Sequence, residues 1–232
     1  MPNEILWIIF IIIDFVISLI IFRLFKKEGL FVIIAINIIL CNLQVIKFIK
    51  MFGVTTTLGN LLYGAIFWAT DMLSEIYGKK EAKKGVFIGF ITLFAMTIIM
   101  YFAVLFKPAP IDTMHPHLDA IFSFLPRIAL ASLLAYLASQ LHDVWNFHLL
   151  KEKTKGKHLW LRNNVSTLAS QAIDSVVFTI VAFWGVVPLG EFIQILVTTY
   201  LFKLIVAVFD TPFLYLGRSI AIKTGEYFDR NI

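Results

Sequence analysis

Charged side chains are scarce in this sequence. Asp, Glu, Lys and Arg make up 15% of 232 residues, against about a quarter in ordinary soluble domains. Cysteine is nearly absent: Cys41 stands alone in an apolar run, which excludes an intramolecular disulfide and a cysteine-based metal centre and leaves a packing role. No Lys or Arg precedes the first apolar stretch, and that stretch lacks a small-x-small cleavage site, so it reads as a retained membrane span and not as a signal peptide. There is no GxxxxGK[ST] loop, so this chain does not itself hydrolyse ATP. No Ser-His or His-Glu-His arrangement is apparent, and His142 lies about 100° around a helix from Asp143. The chain is not read as an enzyme, and no cofactor is implied. His115 and His117 lack a third ligand nearby and read as part of a solvated loop, with no metal assigned.

What is present is hydrocarbon. Apolar residues supply 59% of the chain, 23 residues are Phe, and mean hydropathy is +0.86, more than one soluble core of this size hides. The expected fold is an all-α integral membrane protein, a bundle of six to seven transmembrane helices in a single domain over residues 1–232. The lipid bilayer is its surroundings. Runs near 20 apolar residues suit a helix crossing the hydrocarbon layer, and seven such spans are predicted: 5–25, 30–50, 60–78, 86–106, 127–149, 165–187 and 191–217. Lys and Arg alternate between the connections, 15 on one side and 3 on the other. The positive-inside rule then puts the N-terminus outside and the C-terminus in the cytoplasm. Basic residues gathered between apolar segments also argue against a nucleic-acid partner.

The connections carry their own signals. Pro108, Pro110, Pro116 and Pro126 in the loop 106–126 oppose a regular helix there, although a short re-entrant or surface segment near residues 118–124 fits over a pore mouth. The basic loop 151–164 ends in Leu159-Trp160-Leu161-Arg162, which suits the headgroup region, with Asn163 or Asn164 capping the sixth span.

A five-residue pattern occurs twice, as Ser139-Gln140-Leu141-His142-Asp143 and Ser170-Gln171-Ala172-Ile173-Asp174. Three-residue spacing puts each Gln and Asp on one helical face, able to hold a small polar object from two sides. Rising 1.5 Å per residue, Asn37, Asp71, Asp143, Asp174 and Asp210 fall at one depth, roughly 9–14 Å from the cytoplasmic helix ends, with Gln140 and Gln171 within a turn. Ionised groups in hydrocarbon cost several kcal/mol and mark pathways. The competing structural reading is that the charges only tie helices together: Lys203 stands seven residues before Asp210 on one face, and Arg127 at an outer helix end. Asp14 reads as structural, or as facing the interior unpaired and protonated, and Glu75 as a solvated residue near the interface. Phe67, Trp68, Trp145, Phe147 and Phe178 surround the layer. They fit stacking against a planar ligand, and equally an ordinary lipid-facing role.

Three stretches are specific enough for a family resemblance: Ala69-Thr70-Asp71-Met72-Leu73-Ser74-Glu75-Ile76-Tyr77-Gly78-Lys79; Ala135-Tyr136 with Ser139-Gln140 and Asp143-Val144; and Leu159-Trp160-Leu161-Arg162-Asn163-Asn164 leading to Ser170-Gln171 and Asp174. Together with Arg127-Ile128-Ala129, Phe202-Lys203 and Asp210-Thr211-Pro212, they resemble the queuosine precursor transporters, the vitamin uptake transporter family of prokaryotic membranes. The likeness covers roughly residues 55–217. It implies a plasma-membrane importer of a 7-deazaguanine base such as 7-cyano-7-deazaguanine, 7-aminomethyl-7-deazaguanine or queuine, salvaged for tRNA modification. The residue reading agrees chemically, because a guanine edge offers adjacent N–H donors to a carboxylate and a carbonyl oxygen to an amide. The expected substrate residues are Asp71, Gln140, Asp143, Gln171, Asp174 and Trp68; Glu75, Arg127, Lys203 and Asp210 are structural or coupling charges. Two rivals stay open: a substrate-binding component of an energy-coupling-factor importer, which needs a separate ATPase, and a proton or cation conductor. Monomer and homodimer are both compatible with the sequence.

Overall fold

The computed structural model describes residues 2–45, 47–122, 126–185 and 188–226. Helix α1 (Asn3–Gln44) is two arms joined at Lys26, whose φ of 53° and ψ of −129° lie outside helical values. A Cβ on Gly29 would lie 2.7 Å from the Ile21 carbonyl oxygen. Residues eight apart on a straight helix are about 12 Å apart, so the arms fold back on each other. Asn37 on the second arm accordingly lies beside the carboxyl of Asp14 on the first. At the far end, the Asn3 amide donates to the Lys50 carbonyl and the Phe52 N–H to Glu4, both at 2.9 Å.

The second arm ends at Gln44, short of the residue 50 expected from hydropathy. Strands β1 (Phe48–Met51) and β2 (Val54–Thr57) follow as an antiparallel hairpin, with Met51 opposite Val54. Phe52 and Gly53 both have positive φ, 48° and 81°, the geometry that two-residue hairpin turns need. A 3₁₀ turn (Leu58–Asn60) leads into α2 (Tyr63–Met72), and a π-type turn (Leu73–Tyr77) extends it to Gly78. From Gly64 to Met72 every α2 residue is buried, as expected of a helix apolar all round. It sits centrally, against α1, α3 (Lys79–Leu105), α5 (Pro126–Lys153) and α7 (Leu189–Lys223).

The proline-rich connection holds a two-turn helix, α4 (His115–Phe122), which overlaps the short segment anticipated near 118–124 and starts earlier, at residues read as a solvated loop. Pro116 falls in its first turn, where a missing N–H costs nothing; residues 123–124 of the anticipated segment lie outside the described residues. Helix α6 (Leu159–Phe183) starts six residues before the anticipated 165. Among the described residues, four helices are long and apolar enough to cross a membrane: α1, α3, α6 and residues 192–223 of α7. The molecule is apolar outside and encloses polar clusters within an otherwise apolar core. Ile9, Val16, Ile20, Ile91, Phe94, Ile99, Val197 and Val208 are exposed, whereas Asp71, Gln140, Asp143, Arg162 and Asp210 are fully buried. That inversion suits lipid, with the composition supporting the all-α membrane class.

Because Gly29 lets the α1 arms touch, Gly29→Val should force them apart at a cost of about 1–3 kcal/mol, as overpacking does. Membrane-protein level and melting temperature in detergent would both fall, and an unchanged melting temperature would contradict the hairpin.

Candidate functional site

α5 and α6 form an antiparallel hairpin with the most extensive helix contact in the molecule, and its register crosses the two sequence repeats. The Ser139 hydroxyl donates to Asp174 Oδ1 at 3.3 Å, while Asp143 has Ser166 and Ser170 beside it. Ser139 thus serves the Asp of the other copy, whereas the Ser170 hydroxyl lies near Asp143 but donates to the Ser166 carbonyl at 2.8 Å. His142 joins the seam, its Nδ1 lying 3.2 Å from Ser170 Oγ.

Asp174 is surrounded by donors. Lys203 from α7 makes an ion pair with its Oδ2, and the Tyr63 hydroxyl from α2 donates to its Oδ1 at 2.8 Å. The Lys203 ammonium also lies 4.4 Å from the centroid of the Tyr63 ring. Both charged residues are buried, at 2% and 5% exposure. The pairing considered between Lys203 and Asp210 is therefore not the one formed. Seven residues span about 10 Å of helix, which the lysine does not bridge when a carboxylate faces it from α6.

The other end of the repeat is acidic. Asp71, Asp143 and Asp210 come from α2, α5 and α7 and lie close enough to interact directly. Thr167 donates to Asp71 Oδ2 at 3.4 Å, and the Asn163 amide to Asp210 Oδ1 at 2.8 Å. Among the described residues none of the three carboxyls forms an ion pair. Around them Gln140 is fully buried with neither amide atom hydrogen-bonded, and Gln171 Oε1 and Trp68 Nε1 are likewise buried without a partner. Trp68 packs edge-on to Phe15, ring centroids 6.3 Å apart.

The single polar layer expected from depth is thus several separate clusters. Asn37 belongs with Asp14, and the early start of α6 sets Asp174 about a turn deeper than Asp143. Glu75 is not solvated: it is 3% exposed and paired with Arg162 Nη2 at 2.5 Å, Lys151 at 3.0 Å and Arg218 at 3.5 Å. Arg162, expected at the headgroups, is fully buried. It also donates to the carbonyls of Gly156 and Lys157 and faces the Phe147 ring at 5.5 Å. Asn163 and Asn164 serve α7 through Asp210 and Thr211, not as caps of α6. At the opposite end Arg127 is exposed and donates to the carbonyls of Val181 and Trp184, both at 2.7 Å, closing the last turn of α6.

Sequence reading missed Tyr63 and gave Arg162 and Asn163 other roles, at the headgroups and as a cap, than the pairs with Glu75 and Asp210 that they form. Arg162 and Asn163 had a signal, because they continue unbroken into the apolar run that carries the second repeat. Tyr63 had none, since its partner is 111 residues away.

Comparison with known proteins bears on this arrangement of buried carboxyls and amides. A family model described as "Putative vitamin uptake transporter" matches residues 57–217, the stretch that contains these clusters apart from the α1 pair and Arg218. The chain belongs to the vitamin uptake transporter family. It is a multi-pass membrane transporter and not an enzyme, and it acts on a small-molecule substrate. Its similarity to the "Probable queuosine precursor transporter" of Bacillus subtilis (strain 168) is 44% identity over 95% of this chain and 96% of the relative. A protein of the same name from Haemophilus influenzae is 32% identical over 68% of the chain and 66% of the relative. The "Queuosine precursor transporter" of Escherichia coli (strain K12) is 28% identical over 69% and 71%. No solved structure matches.

Neutralising Glu75 strands Arg162, a fully buried cation. Glu75→Gln is therefore expected to destabilise the fold by about 3–5 kcal/mol, read as loss of monodisperse protein in detergent, whereas Ser139→Ala should cost about 1 kcal/mol.

Proposed function

We propose that the protein imports a 7-deazaguanine precursor of queuosine, such as 7-cyano-7-deazaguanine, 7-aminomethyl-7-deazaguanine or queuine, for salvage into tRNA. The observation that carries this reading is Gln140, whose buried amide leaves a donor and an acceptor without protein partners beside an array of carboxyls. A guanine edge fits such a set, with N–H donors for carboxylate oxygens and a carbonyl oxygen for an amide NH₂. In this reading Asp174 and Gln171 face Gln140 and Asp143 across the hairpin, Asp71 closes the third side, and Trp68 supplies an aromatic wall. Glu75 and Arg127 hold helix ends, and Lys203 and Asp210 are the charges closest to the grip. The names of the three relatives support the same cargo.

The protein then lies in a prokaryotic plasma membrane as seven spans, with the two α1 arms counted separately, the N-terminus outside and the C-terminus cytoplasmic. Support comes from the asymmetry of the basic connections. Reporter fusions after Lys84 and after Lys157 should both report cytoplasm, and a periplasmic signal from either would overturn this orientation.

A second reading, conduction of protons or cations, is favoured by the trio Asp71, Asp143 and Asp210, buried without a basic partner. Uptake separates the two. Cells unable to make the base but able to insert it should regain modified tRNA at low external precursor when this chain alone is expressed. Rescue that needs added ATPase subunits would favour the energy-coupling-factor alternative. Per molecule of inserted protein, measured in parallel because the change also leaves Lys203 without its carboxylate, Asp174→Asn should weaken uptake at least tenfold at limiting substrate, from a lost charged hydrogen bond of about 1.5–3 kcal/mol. Normal uptake by both Asp174→Asn and Asp71→Asn would remove the proposed grip.

A further inference from the structure

The site described is closed on itself at Asp174. A carboxylate has about four lone-pair positions, and here Oδ1 takes the Tyr63 and Ser139 hydroxyls while Oδ2 takes Lys203. Oδ1 is filled by two hydroxyls, so a ligand N–H reaches this carboxylate at Oδ2, the oxygen that Lys203 holds. Ser139 and Tyr63 are held on α5 and α2 by short or rigid side chains. Lys203 ends a flexible four-carbon stem and already has a second contact, the Tyr63 ring face at 4.4 Å, where a desolvated ammonium is attracted by the ring quadrupole.

We propose that Lys203 is a displaceable counter-ion that occupies Asp174 in the empty transporter and yields it to the substrate, resting on the face of Tyr63 while the base is bound. This rests on the reading that Asp174 grips the guanine-like edge. Lys203 is then a positioning residue that sets affinity by competing with the cargo, and Tyr63 has two tasks, aiming Asp174 through its hydroxyl and receiving the ammonium on its ring. With 7-cyano-7-deazaguanine, which is neutral, the exchange moves no net charge into or out of the buried site, because carboxylate and ammonium both stay within it.

The test is concentration-dependent uptake of labelled 7-cyano-7-deazaguanine by Lys203→Gln and Lys203→Arg, with the amount of membrane protein measured in parallel. Removing the ionic competitor should lower KM at least tenfold in Lys203→Gln. A guanidinium, which grips a carboxylate with two parallel bonds, should raise KM in Lys203→Arg. A higher KM in Lys203→Gln would make Lys203 a direct ligand and overturn the proposal, as would an unchanged KM in both variants. Should Lys203→Gln fail to accumulate, carbamylation of Lys203 by cyanate in the wild-type protein decides. Faster modification with the base present supports exchange, and slower or equal modification overturns it. Asp174→Asn run alongside separates the underlying reading: normal uptake by that variant removes the grip itself, whereas its loss together with a raised KM in Lys203→Gln leaves the grip and removes only the exchange.

Discussion

A charge withdrawn from water in this molecule must be answered by another group of the same chain, and the helix arrangement follows from how that demand is met. Lipid offers nothing to a carboxylate or a guanidinium. Glu75 is answered by three cations from α5, α6 and α7, which fixes four helix ends with one side chain. Asp174 is answered by Lys203, Tyr63 and Ser139, tying α6 to α7, α2 and α5. Where no cation answers among the described residues, at Asp71, Asp143 and Asp210, with single donors to Asp71 from Thr167 and to Asp210 from Asn163, and at the Gln140 amide, the chain keeps groups that cost stability. Groups of that kind in a membrane interior belong to function.

Much of the helix layout was legible in the sequence because hydrocarbon thickness sets the length of an apolar run. The boundaries were less so. The second arm of α1 gives way to a β-hairpin because Phe52-Gly53 forms a tight turn, and hydropathy does not register that. Helix α6 begins at Leu159 because Arg162, a charge that normally ends a span, is buried against Glu75 and Phe147. Hydropathy treats each charge as if it met the bilayer alone, and so it misplaces any charge whose partner is distant in sequence.

The candidate site was legible in its members and not in its pairings. The Ser-Gln-x-x-Asp repeat pointed to Gln140, Asp143, Gln171 and Asp174, and the structure places both copies on one hairpin seam. The spacing rule gave Lys203 to Asp210, since periodicity sees only neighbours on the same helix. Its actual partner is on α6. Tyr63, which completes the Asp174 cluster, carried no periodic or motif signal at all.

The polar seam also bears on how the protein is made. Among the described residues helix α5 is not one of the four helices apolar enough to span alone, since Ser139, Gln140, His142 and Asp143 interrupt its hydrocarbon. A segment of this kind partitions poorly from the translocon by itself, because each ionisable residue near a helix centre adds about 2.5–3.5 kcal/mol. Facing α6, its serines and carboxyls meet one another and not lipid. The unit of insertion is therefore the two-helix hairpin, and the tight turn at residues 154–158 sets the interval between the emergence of α5 from the ribosome and the arrival of the partner that makes it soluble in fat.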